Sequence, residues 1–180
     1  MITDPLYWYW KSELPESVCD AIISEGLKLT AAAAVVGGEN GGVVDPSIRI
    51  SKTAFFNSNS WISAITSHYM RIANESAAWN FAITGPQDPQ FTIYDTAEFY
   101  GFHTDESKFG SSMRKLSMVI FITDPSKYEG GDFEFDGLSP GIRERGSILV
   151  FPSFVLHRVS PVTSGTRYSI VNWFTGPSFV

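Results

Sequence analysis

From residue 91 onward the chain is a series of short runs rich in β-branched and aromatic residues, separated by Gly, Pro, Asp and Ser. Such runs are typical of strands joined by turns. They are QFTIY, FYGFHTD, KLSMVIFIT, GDFEFDG, GSILVFP, VLHRVS and RYSIVNWF, with IRISKTAFF as an earlier strand. Because no helical crossover pattern separates them, the sequence predicts a mainly β fold, an antiparallel sandwich or jelly roll.

Two segments before these strands have the apolar spacing of helices. The first is PESVCDAIISEGLKL, which has three apolar residues on one face, namely Val18, Ile22 and Leu27. The second begins after Ser60, a suitable N-cap, and its apolar positions recur every three or four residues, at Trp61, Ile65, Tyr69 and Ile72. We expect Cys19 in the core and His68 on a helix surface or in packing.

Composition and charge argue against several classes of protein. A net charge of −6 without a cluster of Lys or Arg argues against a nucleic-acid partner. No apolar run reaches membrane-spanning length, and the start MITDPLYWYW does not resemble a secretion signal, so we expect an unexported, cytoplasmic protein without a membrane partner. The single Cys19 allows neither an internal disulfide nor a multi-cysteine zinc site.

Two further segments leave alternatives open. AAAAVVGGENGGVVDP predicts a flexible loop or hairpin tip, and a flap over a site is the alternative. LYWYW is interpreted as an edge strand packed on the core, and an aromatic docking edge for a proline-rich chain is the alternative.

His103 and Asp105 lie two residues apart within the predicted strand FYGFHTD. Side chains at i and i+2 of a strand point to the same face, so these two could share a metal. The pair alone is weak evidence, and a third ligand is required. Outside the predicted helices the chain has one other histidine, His157, near the end of an apolar strand. We therefore predict a metal site formed by His103, Asp105 and His157.

Two histidines and one carboxylate suit Fe(II), with three coordination positions left open. Zinc is the main alternative, because a catalytic zinc site can use the same ligands. A zinc hydrolase would also need a general acid or base beside the ligands. Glu106 is the nearest candidate, and strand alternation points it away from them.

Arg167 follows the turn SPVTSGT after His157, and we expect the two strands to pair at the usual spacing of about 4.8 Å. A guanidinium binds a carboxylate through two parallel hydrogen bonds, so a dicarboxylic acid held by the metal could reach Arg167 with its other end. Ser169 lies on the same face as Arg167. Aromatic side chains near this site could exclude water from it or could be ordinary core, and they are Phe99, Phe102 and Trp173.

Two features are predicted to lie outside the site. Arg158 directly follows His157, so in a strand it faces away from the metal. Three acids of GDFEFDG alternate along one face, which we expect to be solvated, and these are Asp132, Glu134 and Asp136.

The segments YDTAEFYGFHTD, RKLSMVIFITDPSKYEGGDFEF and GSILVFPSFVLHRVSPVTSGTRYSIVNWFTGP resemble the Fe(II)/2-oxoglutarate-dependent dioxygenases of the prolyl 4-hydroxylase type, especially the PKHD-type hydroxylases of bacteria and phages. These blocks run from Tyr94 to Phe179, and DPSIRISKTAFF resembles the N-terminal half of the family. The sequence departs from the family at TGPSFV, after which many bacterial PKHD-type proteins continue into a C-terminal extension.

The resemblance implies a double-stranded β-helix, which is a jelly roll, with helices packed on one side. It implies that His103, Asp105 and His157 bind iron. It also implies that Arg167, with help from Tyr94, binds the far carboxylate of 2-oxoglutarate. We expect a single domain over residues 1–180, with helical support and the first strands in 1–90 and the jelly-roll core with the metal site in 91–180.

The implied activity is hydroxylation of an unactivated C–H bond with Fe(II), 2-oxoglutarate and O2, with ascorbate as the reductant and succinate and CO2 as products. The resemblance indicates a prolyl residue of a peptide or protein as the substrate. A free amino acid or other small molecule is the alternative substrate, and a non-catalytic jelly roll that binds metal or ligand is the alternative function. Asp105 favours hydroxylation, because related halogenases lack this carboxylate. The oligomeric state is left open.

Overall fold

The computed structural model describes residues 5–37, 42–109 and 111–179. Its α-helices are α1 (Glu16–Gly26) and α2 (Trp61–Ser76). Across the described ranges, no helix combines the length and apolar character needed to cross a lipid bilayer.

Antiparallel strands make up most of the remaining regular structure. In chain order they are β1 (Trp8–Trp10), β2 (Ala32–Ala33), β3 (Arg49–Ile50), β4 (Lys52–Phe55), β5 (Gly85–Pro86), β6 (Gln90–Tyr94), β7 (Phe99–His103), β8 (Lys108–Phe109), β9 (Ser112–Phe121), β10 (Tyr128–Gly130), β11 (Phe133–Phe135), β12 (Ser147–Pro152), β13 (His157–Val159), β14 (Val162–Gly165) and β15 (Arg167–Pro177). The seven strands predicted after residue 90 are β6, β7, β9, β11, β12, β13 and β15.

The strands form one large and one small sheet with a separate two-stranded ribbon. The large sheet has the order β1-β12-β9-β15-β6-β4-β2, with β5 beside β15 and β8 beside β9. The small sheet has the order β11-β13-β7-β3, and β10 pairs with β14. Two antiparallel sheets facing one another are the arrangement of a jelly roll, and the predicted fold class is confirmed.

The helices cover the outer face of the large sheet, and the small sheet covers its inner face. Strand β9 shows this division because its successive side chains belong to two different cores. Leu116, Met118 and Ile120 pack with the buried residues of α1 and α2. Val119 and Phe121 pack with phenylalanines of the small sheet. The predicted placement of the helices on one side is therefore confirmed.

The buried face of α2 differs from the predicted one. The Ser60 hydroxyl caps the helix as predicted, accepting a hydrogen bond from the backbone N–H three residues later at 3.4 Å. The predicted face was Trp61, Ile65, Tyr69 and Ile72. The structure buries Ile62, Thr66, Met70 and Ala73, and of the predicted positions Ile65 and Tyr69 pack half-buried against the same core. Trp61 stays partly exposed at the edge of the core, where its indole N–H donates to Glu25. Thr66 can be buried because its hydroxyl donates to Asn172 at 2.6 Å.

Helix α1 ends at Gly26, one residue before the last predicted apolar position. Leu27 is therefore 55% exposed, while Cys19 and Ile22 are buried as predicted. His68 lies exposed on α2, which agrees with its predicted place on a helix surface.

The predicted strand IRISKTAFF is two strands that belong to different sheets. β3 joins the small sheet and β4 joins the large sheet, with Ser51 between them. Ser51 is buried at this crossing, and its hydroxyl accepts a hydrogen bond from Arg49 Nε at 2.7 Å. The segment therefore contributes to both walls of the jelly roll.

The N-terminal aromatic segment forms the edge of the large sheet. β1 pairs with β12, and Trp8 and Trp10 pack against the core shared with the helices. The interpretation of LYWYW as an edge strand packed on the core is confirmed.

Candidate active site

His103 and His157 meet across a strand pair of the small sheet. His103 is the last residue of β7, His157 is the first of β13, and the two are directly opposite. Asp105 lies two residues beyond the end of β7, so strand alternation alone does not place it. Its backbone N–H donates to Ser153 O at 2.9 Å, which holds it beside the histidines. One ligand atom of each of the three side chains lies within 4.8 Å of the others.

The two imidazoles are oriented in the same way. The Nδ1 atoms of His103 and His157 lie 2.8 Å from the carbonyl oxygens of Gly101 and Val155. A carbonyl can only accept, so each Nδ1 carries the proton and donates it. In the neutral imidazole this contact selects the Nδ1–H tautomer, and the Nε2 atoms face Asp105 at 3.6 Å for His103 and 3.5 Å for His157.

The charges of this cluster are set by burial and by its own members. Burial by itself raises the pKa of the Asp105 carboxyl, but His157, His103 and the hydrogen bond from Ser117 together hold that pKa well below its usual range. Burial lowers the pKa of His157, although Asp105 opposes this shift. Both directions favour an ionised carboxylate and a neutral imidazole, which are the states that bind a metal.

The donor set fits a divalent metal. Two imidazole nitrogens and one carboxylate oxygen converge on one point, which is the three-ligand arrangement of non-haem Fe(II) oxygenases and also of some zinc enzymes. Among the described residues this is the one group of three or more His, Cys, Asp or Glu side chains close enough to hold a metal. Glu106 is exposed, as expected for a residue that alternation points away.

Arg167 lies at the other end of the same inner cavity. This cavity is lined by residues of both sheets, including His103, Asp105 and His157. Arg167 is 2% exposed, and its Nη1 donates to Ser169 Oγ at 3.1 Å. Within the described part of the chain its Nη2 has no hydrogen-bond partner. A buried cationic donor without a hydrogen-bond partner lowers the stability of the fold. Such a donor is suited to bind the carboxylate of a ligand.

The strand of Arg167 does not pair with that of His157, contrary to the prediction. β13 pairs with β7 and β11 in the small sheet, whereas β15 pairs with β6 and β9 in the large sheet. The intervening turn segment forms β14, which pairs with β10 and carries the chain from one sheet to the other. Arg167 and the histidines therefore face one another across the jelly roll.

Tyr94 and Ser169 both lie beside Arg167. Tyr94 is opposite Arg167 in the pairing of β6 with β15, and the guanidinium carbon lies 5.6 Å from its ring centroid. Gly131 adopts a left-handed φ of +62°, and a Cβ there would lie 3.0 Å from Arg167 Cδ. The absence of a side chain at Gly131 therefore leaves room for the arginine.

Of the three aromatic residues predicted to line the pocket, Trp173 does so. Phe102 is 44% exposed on the outer face, beneath the Arg158 guanidinium, and Phe99 does not line the cavity. Strand β7 has one extra residue between the pairs His103–His157 and Tyr100–Val159, and this bulge shifts the alternation. Tyr100 consequently faces the site.

Tyr100 stacks on His103, with ring centroids 3.4 Å apart, and burial raises the pKa of its hydroxyl to about 12. The Arg49 guanidinium lies 4.5 Å from the Tyr100 ring centroid, and the two residues are directly opposite each other where β3 pairs with β7. Sequence reasoning missed Tyr100, because a bulge leaves no mark in the apolar pattern. It also missed Arg49 in β3, for which a charged residue within an apolar strand was the available signal.

Arg158 faces away from the site, as predicted, and forms an ion pair with Glu134 at 2.5 Å. The acids of GDFEFDG lie partly or fully exposed. Asp132 forms an ion pair with Arg143, so this face is occupied by surface ion pairs.

An outer groove of about 990 Å³ opens from the inner cavity to solvent. The wall between the two is formed by Arg49, Gln90, Tyr100, Asp105 and Trp173. Further residues along the groove include Val35, Val36, Gly37, Phe55, Gln87, Asp88, Glu106 and Arg114. Residues 38–41, the tip of the segment for which a flap was the alternative, lie outside the described residues.

Comparisons with known proteins agree with this geometry. Residues 89–175 match the family model described as the 2OG-Fe(II) oxygenase superfamily. A PKHD-type hydroxylase of Gloeothece citriformis is 39% identical over 88 residues, which are 46% of this chain and 40% of that protein. The chain therefore spans less than half the length of this relative.

Two solved structures share the fold over nearly the whole chain. A viral collagen prolyl hydroxylase from Paramecium Bursaria Chlorella virus-1 matches with a TM-score of 0.70 and 17% identity, covering 96% of this chain and 97% of that one. A prolyl hydroxylase from Trichoplax adhaerens, in complex with a hypoxia inducible factor peptide fragment, matches with a TM-score of 0.71 and 17% identity, covering 94% and 83%.

The matched residues 89–175 include the His103, Asp105 and His157 cluster and the buried Arg167. The name of the superfamily identifies Fe(II) and 2-oxoglutarate as its cofactor and co-substrate, and the donor set and the unpaired guanidinium fit both. Over residues 89–175 the chain is therefore similar to the 2OG-Fe(II) oxygenase superfamily.

Proposed function

We propose that this chain is an Fe(II)- and 2-oxoglutarate-dependent dioxygenase that hydroxylates a prolyl residue of a peptide or protein. The observation that carries the proposal is the unpaired Nη2 of Arg167, which is buried in the same cavity as the His103, Asp105 and His157 cluster. A protein that only held a metal would have no use for a second, cationic anchor at the far end of the cavity.

Each residue of the cavity has a defined task in this proposal. His103, Asp105 and His157 would hold Fe(II), and Arg167 would bind the far carboxylate of 2-oxoglutarate, with Tyr94 and Ser169 beside it. The bound metal and co-substrate supply the oxidising chemistry, with O2 consumed, succinate and CO2 released, and ascorbate as the reductant. The protein orients the reactants and excludes water from the cavity.

The walls of the inner cavity support the exclusion of water. Val119, Phe133 and Val159 line it, and Trp173 closes it towards the outer groove. These side chains carry no group that titrates near neutral pH. The proposed reaction also needs no general base from the chain, which agrees with the exposed position of Glu106.

A peptide substrate is supported by the shape of the outer groove and by the neighbours. The groove is open to solvent and passes directly over Asp105 and Trp173, so an extended chain could present one side chain to the metal. One structural neighbour is described as a collagen prolyl hydroxylase and another was solved with a peptide.

The test is succinate formation by the purified protein with Fe(II), ascorbate and 2-oxoglutarate under air. A panel of proline-containing peptides is compared with matched peptides in which each proline is replaced by alanine. We expect turnover that rises with one proline peptide, is absent with its alanine counterpart and is lost in Asp105→Ala. Equal stimulation by both peptides would overturn the prolyl substrate and indicate another side chain or a small molecule. No turnover with iron bound would overturn the enzymatic function in favour of a metal-binding jelly roll.

A further inference from the structure

Two fully buried serines lie between Asp105 and the large sheet. Ser117 is in the middle of β9, and Ser153 directly follows β12. Ser117 Oγ lies 2.7 Å from Asp105 Oδ2 and 3.0 Å from Ser153 Oγ. Ser117 is fully buried, so a hydroxyl here is costly unless it is hydrogen-bonded.

The direction of these hydrogen bonds follows from counting protons. An ionised carboxylate only accepts, so Ser117 donates its single proton to Asp105. Ser153 must then be the donor in its contact with Ser117. The result is a polarised chain from Ser153 through Ser117 to the carboxylate, in which each hydrogen bond strengthens the next.

Ser153 also fixes the backbone around Asp105. Its carbonyl oxygen accepts from the N–H groups of Asp105 at 2.9 Å and Glu106 at 3.0 Å, and its own N–H donates to Lys115 O at 2.9 Å. The two histidines are held by the pairing of β7 with β13, but β7 ends at His103. The backbone contacts of Ser153 therefore hold Asp105 in place of strand pairing.

We propose that Ser117 and Ser153 form a positioning relay that holds the Asp105 carboxylate in its ligating orientation and thereby sets the affinity of the site for metal. The inference rests on the metal site of the proposed function. The relay belongs to the large sheet and the histidines to the small one, so the relay fixes Asp105 relative to ligands on the opposite wall. Neither serine contacts the metal in this role, and both act through Asp105.

Removal of the Ser117 hydroxyl would leave the carboxylate free to rotate away from both Nε2 atoms. Hydrogen-bond partners of metal ligands typically contribute about 10- to 100-fold to metal affinity. We therefore expect Ser117→Ala to weaken metal binding by about 10- to 100-fold. Ser153→Ala should weaken it by a smaller factor, because Ser117 keeps its own bond to Asp105. The double variant should bind no more weakly than Ser117→Ala, since Ser153 acts through Ser117.

The test is a titration of the purified protein with Co(II) alone, without co-substrate, followed by visible absorption, and repeated with Fe(II) under argon by calorimetry. The matched control is Ser147→Ala in β12. Ser147 is equally buried, and its Oγ accepts a hydrogen bond from Ser12 N–H at 3.0 Å, so its removal also deletes a buried hydrogen-bonded hydroxyl. We expect it to lose stability without losing metal affinity.

The outcomes separate this inference from the proposed function. If the unmodified protein binds neither metal, the proposed function fails. If it binds metal and a folded Ser117→Ala variant binds equally well, the relay is wrong. If Ser117→Ala does not fold, Ser153→Ala decides, since unchanged affinity in that variant overturns the relay. A loss of affinity in Ser147→Ala equal to that in Ser117→Ala would also overturn it, because the effect would then be one of general stability.

Discussion

The two ends of the inner cavity accommodate buried charge in different ways. At the metal end, the Asp105 carboxylate lies between two imidazoles and accepts a hydrogen bond from Ser117. At the other end, the Arg167 guanidinium has one neutral partner, Ser169, and within the described chain its Nη2 has none. The first end is satisfied by the chain itself, while the second is completed only by an anion.

This difference indicates that the Arg167 end binds a ligand that associates and dissociates. An unsatisfied buried donor costs about 1–3 kcal/mol, and more when it is charged. A protein can retain such a destabilising group where a bound ligand offsets the cost, as a carboxylate of 2-oxoglutarate would. At the metal end, the Asp105 carboxylate already accepts a hydrogen bond from Ser117 before any ligand binds. We therefore expect substitutions at the two ends to separate metal binding from co-substrate binding.

The largest effect is expected at the metal end. His157→Ala removes a ligand, so turnover should fall by more than about 100-fold, which is the upper end for groups that only act through a ligand. Succinate formation measures the loss of turnover, and Co(II) titration measures the loss of metal binding. His68→Ala is the matched control, because it removes the exposed histidine of α2 and should change neither. Full iron-dependent turnover in His157→Ala would show that the ligand assignment is incorrect.

A smaller and more selective effect is expected at the cationic end. Arg167→Met should raise the KM for 2-oxoglutarate about 100-fold, since hydrogen bonds to charged groups contribute about 1.5–3 kcal/mol each. The dissociation constant for Co(II) should stay within about twofold. Arg158→Met, which removes a partly exposed arginine of β13 on the outer face of the small sheet, is the control and should leave both constants unchanged.

The same Arg167→Met variant tests the unpaired donor through thermal unfolding. Without ligand it should unfold at a temperature equal to or above that of the unmodified protein, because a buried unpaired charge has been removed. With the metal already saturating, addition of 2-oxoglutarate at 100 times its Kd should stabilise the unmodified protein by about 2.7 kcal/mol and the variant far less. A large loss of stability in the ligand-free variant would contradict the comparison of the two ends.

The smallest effect is expected between the two ends, at Trp173. Its indole N–H is buried without a partner among the described residues, and its ring separates the inner cavity from the outer groove. Trp173→Phe keeps most of the ring, so turnover should fall by less than about tenfold, with metal and 2-oxoglutarate constants unchanged. Trp79→Phe is the contrasting variant, because the Trp79 N–H donates to Pro5 O at 3.0 Å and its loss should reduce stability instead.

Much of the fold could be predicted because each strand carries its own signal. The run from Gln90 to Tyr94 and the run from Arg167 onward are strands in the structure as in the prediction. The helix that begins after Ser60 was likewise recognisable from its cap and its spacing. The face that α2 buries was not recognisable, because the shorter hydrogen bond of the buried Thr66 hydroxyl is to Asn172, which is 106 positions away in the chain.

The residues of the candidate site divide in the same way into those that the sequence could identify and those that it could not. His103, Asp105 and His157 could be selected because histidine is rare in this chain, and Arg167 because a charged residue within an apolar strand needs a reason. Tyr100 could not be selected and Phe99 was chosen wrongly, because the bulge in β7 depends on how that strand pairs with β13. Phe102 was also chosen wrongly, although it directly precedes His103 and alternation already points it to the outer face. The role inferred for Ser117 depends on a contact between the two sheets, which no local pattern contains.

The sequence by itself therefore determined the class of fold, the strands and the chemical identity of the candidate ligands, since side-chain period and residue type are local properties of the chain. The tertiary structure decided that His157 and Arg167 lie on opposite walls, which residues of α2 are buried and where β7 bulges. These features depend on register and on packing between distant segments, and both are set only when the two sheets close over a common core.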